Sequence, residues 1–360
     1  MTAGFGFSKT SALIERRYSP RFRVLRQTHK GPPLQSLMKA LWFDRELALR
    51  EVPKPRPDAG EALIQVALAG LCDTDLQVLR GYSNFRGILG HEFVGRVVEC
   101  ERPEWLGKRV VGEINVACGA CDWCRRGLGR HCPHRTVAGI VNRPGVFAEF
   151  VTLPLANLHE VPESIPDHAA VFAEPLAAAA EILEQMRLES GVAAAVLGDG
   201  KLGLLVAQVL RHAGAQVTVV GKHGWKLDLA RRWGLQTAEA KAAGLAPAGF
   251  AIVVEATGSP TGLEEALRLV QPRGPVVMKS TFREMAHFDT AQFVVNELTL
   301  LGSRCGNFAV ALALLESGHI DVLPLISKTF PLEQGLEAFE YLRTNPCLKI
   351  LLAPAPTPRG

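Results

Sequence analysis

Residues 198–203 read Gly-Asp-Gly-Lys-Leu-Gly, and their neighbours leave few folds open to this 360-residue chain. An apolar run over 193–197 precedes them and an amphipathic stretch over 202–213 follows, so the glycines stand where a strand turns into a helix. Gly198 suits the tight turn, Gly200 lets backbone approach a pyrophosphate, and Gly203 lets helix and strand pack closely, with Leu202 opening the helix beside it. The helix N-terminus adds partial positive charge for the phosphates. Apolar runs at 216–220, 251–255 and 275–279 alternate with helical patterns at 226–233 and 261–270. That alternation predicts βαβ units and a doubly wound parallel sheet. A further helix is predicted over 176–187.

In such a unit a carboxylate for the ribose 2′-hydroxyl belongs at the end of the second strand, about twenty residues on. Here that strand ends Val220-Gly221-Lys222-His223-Gly224, without Asp or Glu. Lys222, His223 and nearby Lys226 are able to pair with a 2′-phosphate, which points to NADP(H) over NAD. An ordinary solvated loop is the alternative.

Cys118-x-x-Cys121-x-x-Cys124-x7-Cys132 gathers four of the eight cysteines into one short lobe. In a large chain without a secretion signal, such crowding points to metal rather than disulfides. Four thiolates close a tetrahedral zinc site and leave no position for substrate. A ferredoxin-like iron–sulfur run also begins C-x-x-C-x-x-C, but its last gap is three residues, where this one is seven.

Before the helical region, residues 38–160 read as short β segments broken by Gly and Pro, with strands expected over 61–69, 93–99 and 109–113. An all-β domain fits, and a last strand is expected over 348–352. The formal charge is +4, yet residues 1–37 hold seven Lys or Arg against the single acid Glu15. The body is therefore slightly acidic, with no nucleic-acid signature, and no apolar run is long enough to span a membrane. The basic leader reads either as a dispensable extension ahead of a start at Met38 or as an organellar transit peptide.

The motifs Gly70-Leu71-Cys72-Asp73-Thr74-Asp75, Gly90-His91-Glu92, the four-Cys lobe, Glu174-Pro175-Leu176-Ala177 and the glycine turn occur in that order. With them, the chain from about residue 38 onward resembles the zinc-containing medium-chain alcohol dehydrogenase family, nearer its polyol, glucose and threonine dehydrogenase branch. The resemblance implies an α/β protein with a chaperonin-10-like (GroES-like) β-barrel catalytic domain and a Rossmann domain. The implied division is a basic extension over 1–37, expected to be disordered, a catalytic domain over 38–175 carrying the lobe at 118–132, a Rossmann domain over 176–308, and a return to the catalytic domain over 309–360.

It also implies two zinc ions per subunit, one structural and one catalytic, the latter bound by Cys72, His91 and Glu174. Glu92 matches a residue able to exchange onto the metal, Asp75 an acid that orients the ligand histidine, and Thr74 a hydroxyl that begins proton removal. Two residues after Asp75, relatives often carry a proton-relaying His; here Gln77 stands instead, so water or another route is required. Tyr82 and Phe85 are candidates for the substrate pocket or for aromatic core.

The implied activity is zinc-dependent hydride transfer between an alcohol or polyol, or its aldehyde or ketone, and NAD(P). The implied assembly is a homodimer or homotetramer, and the expected location is the cytoplasm, or an organelle if the leader is a transit peptide. An iron–sulfur electron carrier and a catalytically silent NADP-binding or redox-sensing protein are the alternatives. The first predicts bound iron, and the second cofactor binding without turnover.

Overall fold

The computed structural model describes residues 36–81, 83–240, 244–282 and 285–354. The basic leader and Tyr82 lie outside the described residues. Among the described residues no helix is long and apolar enough to cross a membrane.

The hub of the first half is the strand Glu61–Gly70, buried at nearly every position. It pairs antiparallel with Glu92–Cys100, with Phe150–Pro154 and with the end strand Lys349–Ala353. Its alternating Ala, Leu, Ile and Val side chains reach the core on both sides, as a barrel-forming strand must. Leu37–Asp44 and Glu46–Pro53 form a hairpin in a separate three-stranded sheet with Gly87–Ile88. The expectation of an all-β domain needs one correction. A short helix, Asp73–Leu79, leaves the hub strand directly. Its first turn carries Asp73 and Asp75, which suit the positive helix end. Phe85 is buried in the barrel core, so it serves packing.

The second half is a six-stranded sheet, parallel throughout. Ala193–Leu197, Gln216–Gly221, Gln236–Glu239, Ile252–Glu255, Pro275–Met278 and Thr299–Gly302 are its first to sixth strands. Their spatial order is third, second, first, fourth, fifth, sixth. The order reverses beside the first strand, and ligands bind at such crevices. The third and sixth strands escaped the sequence pattern because both are partly exposed: Gln236–Glu239 is polar and Thr299–Gly302 lies at a solvent edge. Neither needs a continuous apolar run.

The helix expected over 176–187 spans Ala173–Gln185. Pro175 falls in its first turn, where a missing N–H costs nothing, so the helix begins ahead of the proline. The domain border expected at 175/176 therefore cuts a helix. Helix Phe308–Glu316 packs on this one, after which Ile326–Pro331 and Lys349–Ala353 run parallel and join the barrel sheet. Ile350, Leu351 and Leu352 are fully buried there. At about 1.5–3 kcal/mol for each buried side chain, that end strand is firmly held.

Candidate active site and metal centres

The hub strand and its neighbour deliver the cleft residues to one point. Cys72 follows Glu61–Gly70, while His91 and Glu92 open the adjacent strand Glu92–Cys100. One ligand atom from each of Cys72, His91 and Glu92 lies within 4.8 Å of the other two. Gly90 enters this turn at φ +91°, and a Cβ there would run into the Phe147 ring, so only glycine fits before His91.

Asp75 holds two members of the group at once. Its Oδ2 accepts the Cys72 backbone N–H at 2.8 Å, and its Oδ1 stands 3.2 Å from His91 Nδ1, off the ideal hydrogen-bond line. Thr74 Oγ1 lies 3.6 Å from Cys72 Sγ. Glu92 Oε2 pairs with Lys349 Nζ, both groups being buried, and the same ammonium reaches Leu71 O at 3.3 Å. Glu92 Oε1 is buried without a hydrogen-bond partner.

Glu174, expected as the third ligand, is not in this 4.8 Å group, whose carboxylate comes from Glu92. It rides instead on helix Ala173–Gln185. Burial pushes its carboxyl up to about 7, with His91 opposing the shift and Glu92 adding to it. Burial opposes a charge on His91, yet Asp75 and the Cys72 sulfur hold its pKa well above the usual value. The cleft thus favours a cation. A thiol, an imidazole and a carboxylate with an orphaned oxygen form a donor set that suits zinc.

A second tie went unmarked in the sequence. Lys201 Nζ, from the glycine turn, pairs with Asp73 Oδ2 at 2.8 Å and joins the helix after that turn to the helix that follows Cys72. Burial works against its charge, but Asp73 and Cys72 outweigh it, so the lysine stays protonated. Gln77 is half-buried on the same helix as Asp73.

In the lobe, Cys118, Cys121, Cys124 and Cys132 bring four sulfurs together. Neighbouring sulfurs are 3.5 Å apart for Cys121–Cys124 and Cys118–Cys132, 3.6 Å for Cys121–Cys132 and 3.9 Å for Cys118–Cys124. A Zn–S length of about 2.3 Å gives a tetrahedron edge of roughly 3.8 Å. A single ion fits. A multi-iron cluster would sit between its ligands and spread them wider. The Ala120 and Cys121 N–H groups pull the Cys118 thiol down to about 6, while burial and the Cys121 sulfur push Cys124 up to about 11. Thiols this close do not all ionise unless a cation sits among them.

The glycine turn has the shape a pyrophosphate needs. A Cβ on Gly203 would strike Gly198 O, whereas one on Gly200 would meet only open space, so helix and strand touch while the phosphate side stays clear. Gly200 caps the twelve-residue helix Lys201–His212 without a side-chain partner for its N–H groups. Leu202 packs its side chain against the core.

The expectation of a ribose end without a carboxylate is corrected. Asp199, from inside the glycine turn, reaches the end of the second strand. There its Oδ2 accepts the N–H groups of Lys222 and His223, each at 2.7 Å, and the His223 ring Nδ1 lies 3.0 Å from both oxygens. Burial opposes its charge, but these donors outweigh burial and keep the carboxylate ionised. Lys222 and His223 are exposed.

Residues 58–163 match the alcohol dehydrogenase GroES-like domain, and residues 202–317 match the zinc-binding dehydrogenase family. L-threonine 3-dehydrogenase of Saccharopolyspora erythraea is 32% identical over 333 residues, covering 85% of this chain and 95% of that one. A zinc-binding dehydrogenase from Sinorhizobium meliloti 1021, solved with NADP, superposes with a TM-score of 0.83 at 29% identity, over 89% of this chain and 100% of the other. An alcohol dehydrogenase from Escherichia coli CFT073, solved with NADH, also reaches 0.83, at 27% identity and 88% and 99% coverage.

Proposed function

We propose a reaction for this chain from one premise: it belongs to the zinc-containing alcohol dehydrogenase family, whose GroES-like and zinc-binding dehydrogenase segments it carries. It is an NAD(P)-dependent oxidoreductase acting on CH–OH groups, and its substrates are alcohols or polyols and the matching aldehydes or ketones. The observation that carries this reading is the Cys72–His91–Glu92 group, tied through Lys201 and Asp73 to the glycine turn.

Cys72, His91 and Glu174 would hold the catalytic zinc, with Glu92, already beside Cys72 and His91, able to exchange onto it. Zinc supplies a Lewis acid for the substrate oxygen when bound. Asp75 keeps the Cys72 backbone and the His91 ring oriented toward it. Thr74 hydrogen-bonds the alcohol and starts its proton on the way out; Gln77 accepts no proton at neutral pH, so solvent takes it. The glycine turn orients the dinucleotide, which carries the hydride.

Several finer features belong to this reading. Cys118, Cys121, Cys124 and Cys132 hold a second, structural zinc. Lys222 and His223 favour NADP(H). The chain divides at about residues 38, 176 and 309 into the extension, catalytic domain, Rossmann domain and return segment. The edge strand Thr299–Gly302, with Val294 and Val295 exposed beside it, serves assembly into a dimer or tetramer. Eight free thiols suit the reducing cytoplasm.

Metal analysis of the purified protein, combined with a screen of alcohols, polyols and carbonyls against NAD and NADP, tests the reading. Two zinc ions per chain and chelator-sensitive turnover are expected. Bound iron with visible absorption, or full turnover after rigorous chelation, would sink it.

A further inference from the structure

The side chain of Asp199 reaches from the glycine turn to the end of the second strand. Gly221 ends the second strand, at the position from which a ribose-binding carboxylate would project. A Cβ added to Gly221 would stand 2.5 Å from Asp199 Oδ2 and 2.6 Å from Asp199 Cβ. Asp199 and any side chain at the strand end therefore exclude each other. The carboxylate in this region stands on the turn and not on the strand end.

Its surroundings give it a different task. Two backbone N–H groups at 2.7 Å and the His223 ring at 3.0 Å engage its oxygens, Lys226 Nζ stands 4.0 Å away, and the side chain is only 9% exposed. A carboxylate so buried and so fully engaged offers little to a ribose diol. It instead pins the backbone of Lys222 and His223, whose side chains stay exposed, and occupies Nδ1 of the His223 ring. The ring's other nitrogen is left for a ligand. With Lys222 and Lys226 also present, cations outnumber the single carboxylate.

We propose that Asp199 is the positioning residue that sets cofactor preference: it holds the 221–223 loop so that Lys222 and His223 meet the 2′-phosphate of NADP(H). This rests on the NADP(H) reading above and deepens it. Asp199 touches neither the phosphate nor the reacting atoms; it acts through the loop.

Calorimetric titration with adenosine 2′,5′-bisphosphate and with 5′-AMP separates the possibilities without turnover, and the ratio of kcat/KM for NADP and NAD provides a second readout. Wild type should bind the 2′-phosphorylated ligand more tightly. Asp199→Asn, with thermal unfolding checked, should weaken that ligand about tenfold and change 5′-AMP less than about twofold, as expected from losing charge-assisted anchors. The paired change D199S/G221D returns a carboxylate to the strand end and should reverse the preference. If D199N weakens both ligands equally, or strengthens the 2′-phosphorylated one, Asp199 is a general scaffold or a repelling charge and the inference falls. If wild type itself prefers 5′-AMP and NAD, the NADP(H) reading fails first and this inference with it.

Discussion

The four-Cys lobe and the cleft group both gather metal-binding side chains, yet they are built in opposite ways. The lobe draws all its sulfurs from residues 118–132, around the four-residue helix Asp122–Arg125, and Cys118 is exposed. The cleft takes Cys72 from one strand end and His91 and Glu92 from another, then completes itself with Lys349 from the far end of the chain. One site depends on local spacing and the other on the whole barrel. A local site can lose a ligand without disturbing the rest of the fold. The cleft holds buried, unpartnered Asp75, His91 and Glu92 atoms, so a change there reaches both chemistry and packing.

The contrast is open to attack by mutation. Replacing Cys72 by Ala should cost about a thousandfold or more in kcat/KM, since Lewis-acid assistance is worth several kcal/mol, while lobe zinc remains by metal analysis. Lys349→Met strands the buried Glu92 carboxylate, so chemical denaturation of the metal-free protein should record a loss of about 3–5 kcal/mol. A small change would mean that the cleft is as self-contained as the lobe. Asp75→Asn should lower zinc affinity or turnover by about 10–100-fold, read by competition with a chelator. Cys124→Ala should release one zinc per chain and expose the 118–132 segment to limited proteolysis, yet lower kcat/KM less than about fivefold, the smallest of the three catalytic effects. Equal losses from Cys124→Ala and Cys72→Ala would erase the distinction.

The same contrast governs what could be read ahead of the structure. The glycine turn and the four cysteines are legible because each motif works through neighbours a few residues away. The first strand of the parallel sheet, Ala193–Leu197, was legible for a similar reason: it is buried on both faces and therefore continuously apolar. Lys349, Lys201 and Asp199 were not. Lys349 meets Glu92 across 257 residues and Lys201 meets Asp73 across 128, while Asp199 reaches His223 across 24 from inside a motif whose intervening residues carry no usual meaning. The nearness of Glu92 to Cys72 and His91 was hard to read for a related reason: Glu92 and Glu174 are chemically alike, and only barrel packing decides how near each comes to the pair.

The end strand Lys349–Ala353 lies between Glu61–Gly70 and Ile326–Pro331 in the barrel sheet. During translation, then, the amino-terminal barrel leaves the ribosome missing an inner strand and with Glu92 unpaired, and it stays so even after the parallel sheet is complete. Lys349 follows Glu92 by 257 residues, so at about 5–20 residues per second the pair waits roughly 13–51 seconds to form. A nascent chain halted before residue 349 should therefore expose its barrel to protease while its 193–302 segment resists. A chain that stops short of Lys349 leaves the Cys72–His91–Glu92 group without its buried counter-charge.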